Sequence, residues 1–320
     1  MAEANRVMEP GAVPNAAATW SVGAAAMGPP RTLWGDAWRR FRRHKLAMVG
    51  AIVLLLLIAG TLIGPFVYRV DRDAMDVLAS MTGSSMAHPM GTDDLGRDLL
   101  ARAIFGGRVS MAVGLAAMLI SIVVGTLIGA LAGFIGGIVD QLLMRMTDMF
   151  LALPQLPLLL LTIFLFRDTL RKSFGPEVGI FILIVAVIGL LNWMPTARIV
   201  RASFLSLKQK EFVEAAHCLG VSRASIMFRH ILPNAMSPII VSATLGVGAA
   251  IITESVLSFL GLGFPPDTPT WGRLLFDGQN FLDIAPHMVL WPGLMIFLTV
   301  LSINYMGDGL RDALDPRSRL

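Results

Sequence analysis

The sequence predicts an all-α polytopic membrane protein with six transmembrane helices. Two observations carry this. The chain is 55% hydrophobic and only 15% charged, with a mean hydropathy of +0.70, whereas a soluble domain carries about 25% charged residues. Six apolar runs are each long enough to cross, because about 20 residues rising 1.5 Å each cover the hydrocarbon core. A third observation orients them. Most of the 26 Lys and Arg residues fall on the side that holds both termini, which predicts cytoplasmic termini. The net charge of +4 and the pI near 9.7 then reflect orientation in the bilayer rather than nucleic-acid binding.

Residues 1–33, rich in Ala, Gly, Pro and Asn, read as a disordered cytoplasmic tail. They lack the basic end and continuous apolar core of a signal peptide. Residues 34–45 read as a basic juxtamembrane helix, with Arg39, Arg40, Arg42, Arg43 and Lys45 interleaved with Trp34, Trp38 and Phe41. That mixture belongs at the lipid headgroups.

The six runs are residues 46–67, 109–139, 141–166, 178–197, 235–262 and 287–306. The second carries Gly125, Gly129, Gly133 and Gly137, four residues apart and continuing from Ala117 and Ser121. This smooth stripe lets another helix approach backbone to backbone. It is no phosphate loop, since GxxxxGK[ST] occurs nowhere in the chain, and the chain is not expected to bind ATP itself. In the third run, Pro154 and Pro157 predict a kink, and Arg145 and Asp148 are spaced for a local ion pair.

Between the fourth and fifth runs lies a polar island, residues 198–237, containing EFVEAAHCLGVSRASIMFRHILP at 211–233. Phe212, Ala215, Ala216 and Leu219 recur at i, i+3, i+4 and i+7, so they share a helix face. The two alanines allow a close approach by another surface. Gly220 stands where a helix end wants positive φ. Ser222 is placed to cap a second helix, which Pro233 ends. A helix too short to span, held between spans, suits docking to a partner in water. The single cysteine, Cys218, makes neither an internal disulfide nor a zinc site, which needs several ligands.

The longest outer loop, residues 68–108, contains HPMGTDDLGRDLLARAIFGGRVS from position 88 onward. Thr92 is placed to cap a helix with Asp93 and Asp94 in its first turn. Asp93–Arg97 and Asp98–Arg102 are i, i+4 pairs, and Leu95, Leu99 and Ala103 share a face. The alternative is a metal site from His88, Asp93, Asp94 and Asp98. Neither spacing nor caps match a calcium loop, so no metal is expected.

Glu254 stands at depth in the fifth run. A carboxylate there is expensive, which makes it a candidate for the translocation path, or else a group at the outer interface or capping a neighbour. Asn192, a second path candidate, and Asn304 are placed to bond between helices. The five histidines are scattered, and no nucleophile converges with a base, so no catalytic residue is assigned and an intramembrane enzyme is disfavoured. A self-sufficient channel would leave the island unexplained.

Glu214-Ala215-Ala216, three residues, Gly220, then ten residues to Ile231-Leu232-Pro233 resembles the EAA loop of ABC importer membrane subunits. It departs from that pattern at His230, where the family has an aliphatic residue. Segments 88–110, 253–272 and 307–319 resemble signatures of the dipeptide and oligopeptide branch, in its C-type permease. The likeness covers about residues 34–320.

It implies a type I ABC importer permease fold over residues 46–320, in the bacterial cytoplasmic membrane, with an outer loop at 68–108, the EAA loop at 198–237 and a polar tail at 307–320. It further implies that Phe212, Glu214, Ala215, Ala216, Leu219 and Gly220 form a coupling helix that docks on ATPase subunits. The implied partners are a second homologous permease, two ATPase subunits that bind ATP and Mg, an extracytoplasmic solute-binding protein and the lipid bilayer. The implied cargo is di- or oligopeptides, with nickel chelates, glutathione or another small solute as the alternative.

Overall fold

A computed structural model describes residues 33–314. All but the last residue of the tail expected over residues 1–33, and the last six residues of the chain, lie outside the described part. Within it, the secondary structure is helical apart from one isolated bridge, Thr92 to Asp98.

Helix α1 (Leu33–Arg43) is short and basic. His44 breaks it from α2 (Lys45–Val67), and the His44 Nδ1 accepts from the Ala47 N–H at 3.1 Å as the N-cap. Helix α3 (Leu99–Ile135) is 37 residues long. It ends at Gly136, whose φ of +75° turns the chain into α4 (Gly137–Ala152). Pro154 restricts Leu153 to extended backbone, and α5 (Gln155–Phe174) leaves at 85° to α4. Pro157 falls in the first turn of α5, where a missing N–H costs nothing. Gly175 then turns the chain into α6 (Pro176–Leu191), with proline at its first position. A break at Asn192 and Trp193 bends it by 42° into α7 (Met194–Leu207).

Helix α8 (Glu211–Cys218) is followed by α9 (Arg223–Ser225), a π-helical turn (Ile226–Ile231) and a 3-10 turn (Leu232–Ala235). Ser222 caps α9 as expected, accepting from the Ser225 N–H. Pro233 does not end the segment. The helical path runs on, through the two tightened and loosened turns, into α10 (Met236–Phe259), because the altered turns absorb the N–H that proline lacks. Helices α11 (Trp271–Gly278) and α12 (His287–Leu314) complete the described part. Among the described residues four helical segments are long and apolar enough to cross alone, and the number is six when each bent pair is counted as one span.

The polar tail expected from residue 307 is helical to Leu314 and packed, with Gly307, Gly309 and Ala313 buried. The outer loop also differs. Asp98, not Thr92, caps the long helix, accepting from the Ala101 N–H at 2.7 Å. Asp93 closes a turn by accepting from Leu95 and Arg97, and Gly96 completes that turn at φ +75°. A glycine able to take positive φ was the signal against a helix there. The Asp93–Arg97 pair forms at 2.7 Å. Arg102 pairs not with Asp98 but lies 3.7 Å from both Asp93 and Asp277. Leu95 is 39% exposed while Leu99 and Ala103 are buried.

Helix α3 is the spine, packing on α2, α6, α7 and α10. Its glycine stripe works as expected at three positions. A Cβ on Gly125 would lie 2.7 Å from Thr196 Cβ, and one on Gly133 2.7 Å from Phe204 Cβ. Gly129 is equally closed by Ala197 and Val200. All three are filled by α7. Gly137 is not part of the stripe. It has φ +58° and nothing within 4 Å, because the helix has already ended at Gly136.

Candidate functional site: the coupling loop and the membrane cavity

Glu211 and Glu214 occupy the first turn of α8, favourable with its dipole, and His217 the last. The eight residues have two faces. Val213 and Ala216 are buried in one cluster with Ile226, Met227 and Ile231 and with Val200 and Phe204 of α7. Phe212 is 40% exposed, Leu219 82% exposed, and Ala215 is exposed. The four residues expected to share one docking face therefore divide. Phe212, Ala215 and Leu219 point outward, while Ala216 seats the helix on its own protein. Glu214 and Cys218 are exposed. Gly220 has φ +74° and nothing within 4 Å, so it provides the turn.

Helix α7 links this loop to the membrane interior. It packs on the glycine stripe of α3 along its length. It is tied to α4 by Arg201, which donates to both Asp140 oxygens, one at 2.6 Å, and by Arg198 with Asp148 at 2.5 Å. The local Arg145–Asp148 pair does not form; Arg145 is exposed and Asp148 reaches across to Arg198. Lys208 donates to the Gly133 carbonyl at 3.0 Å, near the end of α3.

The first half of α7 is a wall of a cavity of about 670 Å³. Its lining comes from α3, α6, α7, α10 and the last turn of α12, and includes Ser121, Asn192, Thr196, Ser242 and Arg311. Asn192 thus lines the cavity. Its amide is engaged, donating to the Ile188 carbonyl at 2.8 Å and accepting from Gln155 at 2.9 Å. Ser121 donates to the Asn192 carbonyl at 2.8 Å, which holds open the break between α6 and α7. Asn304 is exposed, and no hydrogen bond to a neighbouring helix involves it among the described residues.

Glu254 does not line this cavity. It is fully buried and accepts from Ser110 at 3.0 Å and Ser258 at 2.7 Å. Ser110 in turn accepts from the Trp271 N–H at 3.3 Å, and the Trp271 indole donates to the Ala103 carbonyl at 2.9 Å. The carboxylate therefore joins α3, α10 and α11. Spacing could not show this, because Ser110 lies 144 residues away in sequence.

The outer acids and histidine do not converge on a metal. His88 and Tyr68 both bond the same Asp98 oxygen at 2.8 Å, and Asp93 is held by Arg97. Among the described residues no group of three His, Cys, Asp or Glu could hold an ion.

A bundle of apolar, bent helices around a cavity, with a short helix set apart after one cavity-lining helix, is an architecture that suits a membrane permease. Residues 125–320 match the family described as binding-protein-dependent transport system inner membrane component, and residues 32–85 match the N-terminal TM domain of oligopeptide transport permease C. The chain belongs to this family of transport permeases. It is 43% identical over 291 residues to the oligopeptide transport system permease protein OppC of Escherichia coli K12, covering 90% of this chain and 93% of that one. It is 41% identical over 288 residues to the glutathione transport system permease protein GsiD of Shigella flexneri, covering 90% and 91%. Among solved structures, an inward-facing form of the MetNI methionine ABC transporter matches with a TM-score of 0.51 at 18% identity, over 66% of this chain and 94% of that chain. That likeness gives the fold, an ABC importer permease.

Proposed function

We propose that this chain forms half of the translocation path of an ATP-driven importer of di- or oligopeptides. The observation that supports this most directly is the continuity of α7. One end carries cavity-lining Pro195, Thr196 and Ile199, and Val200 and Phe204 towards the other share one buried cluster with Val213 and Ala216 of α8, together with Ile226, Met227 and Ile231. Any displacement of α8 is therefore felt at the cavity wall, since packed helices shift as rigid bodies. In this reading the outward face of Phe212, Ala215 and Leu219 seats on an ATPase subunit. ATP and Mg are bound by two such subunits and not by this chain. A second permease completes the cavity, and an extracytoplasmic solute-binding protein delivers cargo. In the same reading both termini and α8 are cytoplasmic, which the Lys and Arg distribution supports.

A second reading keeps the machine and changes the cargo to glutathione or another small solute, favoured by the 41% identity to a glutathione permease. Gentle extraction of the tagged chain from its native membrane tests both. Recovery of a second permease, P-loop ATPases and a solute-binding protein is the expected result. Peptides eluted from that binding protein support the first reading, and glutathione the second. A chain recovered alone or as a homo-oligomer, while other transporters stay assembled, contradicts both.

A further inference from the structure

Helix α1 is pinned, not loose. Ala37 and Phe41 are buried, packed with Ala47 and Ala313. Gly309 of α12 makes this fit: a Cβ there would lie 3.3 Å from the Phe41 ring and would collide with Ala47. His44 Nε2 adds a contact with Asp312 at 3.7 Å. The packing thereby fixes which face of α1 is left outward. That face carries Trp38, 60% exposed, with exposed Arg39, Arg42 and Arg43. Lys45 and Leu46, also exposed, extend it onto the first turn of α2.

Two properties of this surface select its occupant. The cations call for anions. The indole, stacked on Phe41 at 6.0 Å but otherwise outward, calls for a medium apolar on one side and wet on the other. Directly after this surface in the chain, exposed Leu46, Val49 and Ile52 share one helical face of α2, a helix long and apolar enough to cross the bilayer. A soluble acidic partner would satisfy the cations but would not meet that face. We propose that the outward face of α1 is a docking surface for anionic phospholipid headgroups, with Arg39, Arg42 and Arg43 on the phosphates and Trp38 at the boundary with the acyl chains.

The test uses the full chain in nanodiscs of phosphatidylcholine, with or without phosphatidylglycerol. The Trp38 signal is taken as the difference between the wild type and Trp38→Phe. Phosphatidylglycerol is expected to shift Trp38 emission to the blue and to reduce its quenching by acrylamide, with both changes lost at high salt. The triple Arg39→Gln, Arg42→Gln, Arg43→Gln variant is expected to lose both changes, and the matching triple Lys variant to keep them. These side chains are exposed, so the chain should stay folded, and unchanged melting checks this. Equal quenching in the two lipids, or an unaltered response in the Gln variant, overturns the proposal. So does the same protection produced in phosphatidylcholine discs by inorganic phosphate or polyglutamate, which would assign the surface to a soluble anion or an acidic protein.

Discussion

The side-chain amide of Gln155 donates to the side-chain carbonyl of Asn192 across 2.9 Å. This bond ties the break between α4 and α5 to the break between α6 and α7, so the two bent pairs share one fastening. Phe150 and Trp193 meet edge to face beside it, centroids 6.2 Å apart. Replacing either partner by Leu should destabilise the fold in detergent, with Asn192→Leu costing more because it also loses the bond to Ile188. A double-mutant cycle should show a coupling of about 0.6 kcal/mol, the average for bonds between membrane helices. Strictly additive single effects would mean that the contact does not fasten the breaks.

The glycine stripe separates into two kinds of position. Gly125→Ala and Gly133→Ala push a methyl into α7, and overpacking of this kind costs about 1–3 kcal/mol. Gly137→Ala meets no neighbour, and its cost of about 1 kcal/mol comes from placing a side chain at positive φ. Thermal melts of the three variants check this. Only the first two should also loosen the hold of α3 on α7, visible as faster amide exchange at Thr196 to Phe204.

Arg108 answers a gap made by proline. Pro65 has no N–H to give the Thr61 carbonyl four residues earlier, and Arg108 Nε from α3 donates to that carbonyl at 2.6 Å, with Leu62 O accepting a second bond at 2.7 Å. Arg108→Ala should cost about 1–3 kcal/mol for the orphaned acceptor. Pro65→Ala in the same chain should recover part of it, because the restored N–H fills the gap. Unfolding titrations of the two single variants and the double would show no recovery if the arginine served another purpose.

Glu254 serves as an acceptor for two buried hydroxyls. Glu254→Gln keeps its volume and one carbonyl, whereas Glu254→Leu leaves Ser110 and Ser258 without their acceptor. The Leu variant should be less stable than the Gln variant by about 1–3 kcal/mol. If Gln were as damaging as Leu to transport but harmless to stability, the carboxylate would have a role in passage that its burial does not suggest.

In the island, exposure decides what each variant reports. Leu219→Asp alters an outward residue and should uncouple transport from ATP hydrolysis in the assembled complex without lowering the melting temperature. Ala216→Arg buries a charge against Val200 and Phe204 and should lower stability as well. Gly220→Pro cannot adopt the observed φ of +74° and should deform the turn. Transport and ATPase rates measured beside melting curves separate the three.

The sequence by itself determined the membrane class, the existence of six apolar runs, the island and its turn at Gly220, and the spacing of the stripe. These are local properties: hydropathy, helical period and the conformational freedom of glycine act within a few residues. Only the tertiary structure decided partners. The stripe belongs to α7, Asp148 to Arg198, Arg102 to Asp93 and Asp277, and Glu254 to a buried joint away from the cavity. Ala216 turned inward for the same reason. A helical period shows which residues share a face, but which face is covered depends on segments distant in sequence. Charged groups, too, choose the partner that packing brings near rather than the one spacing offers.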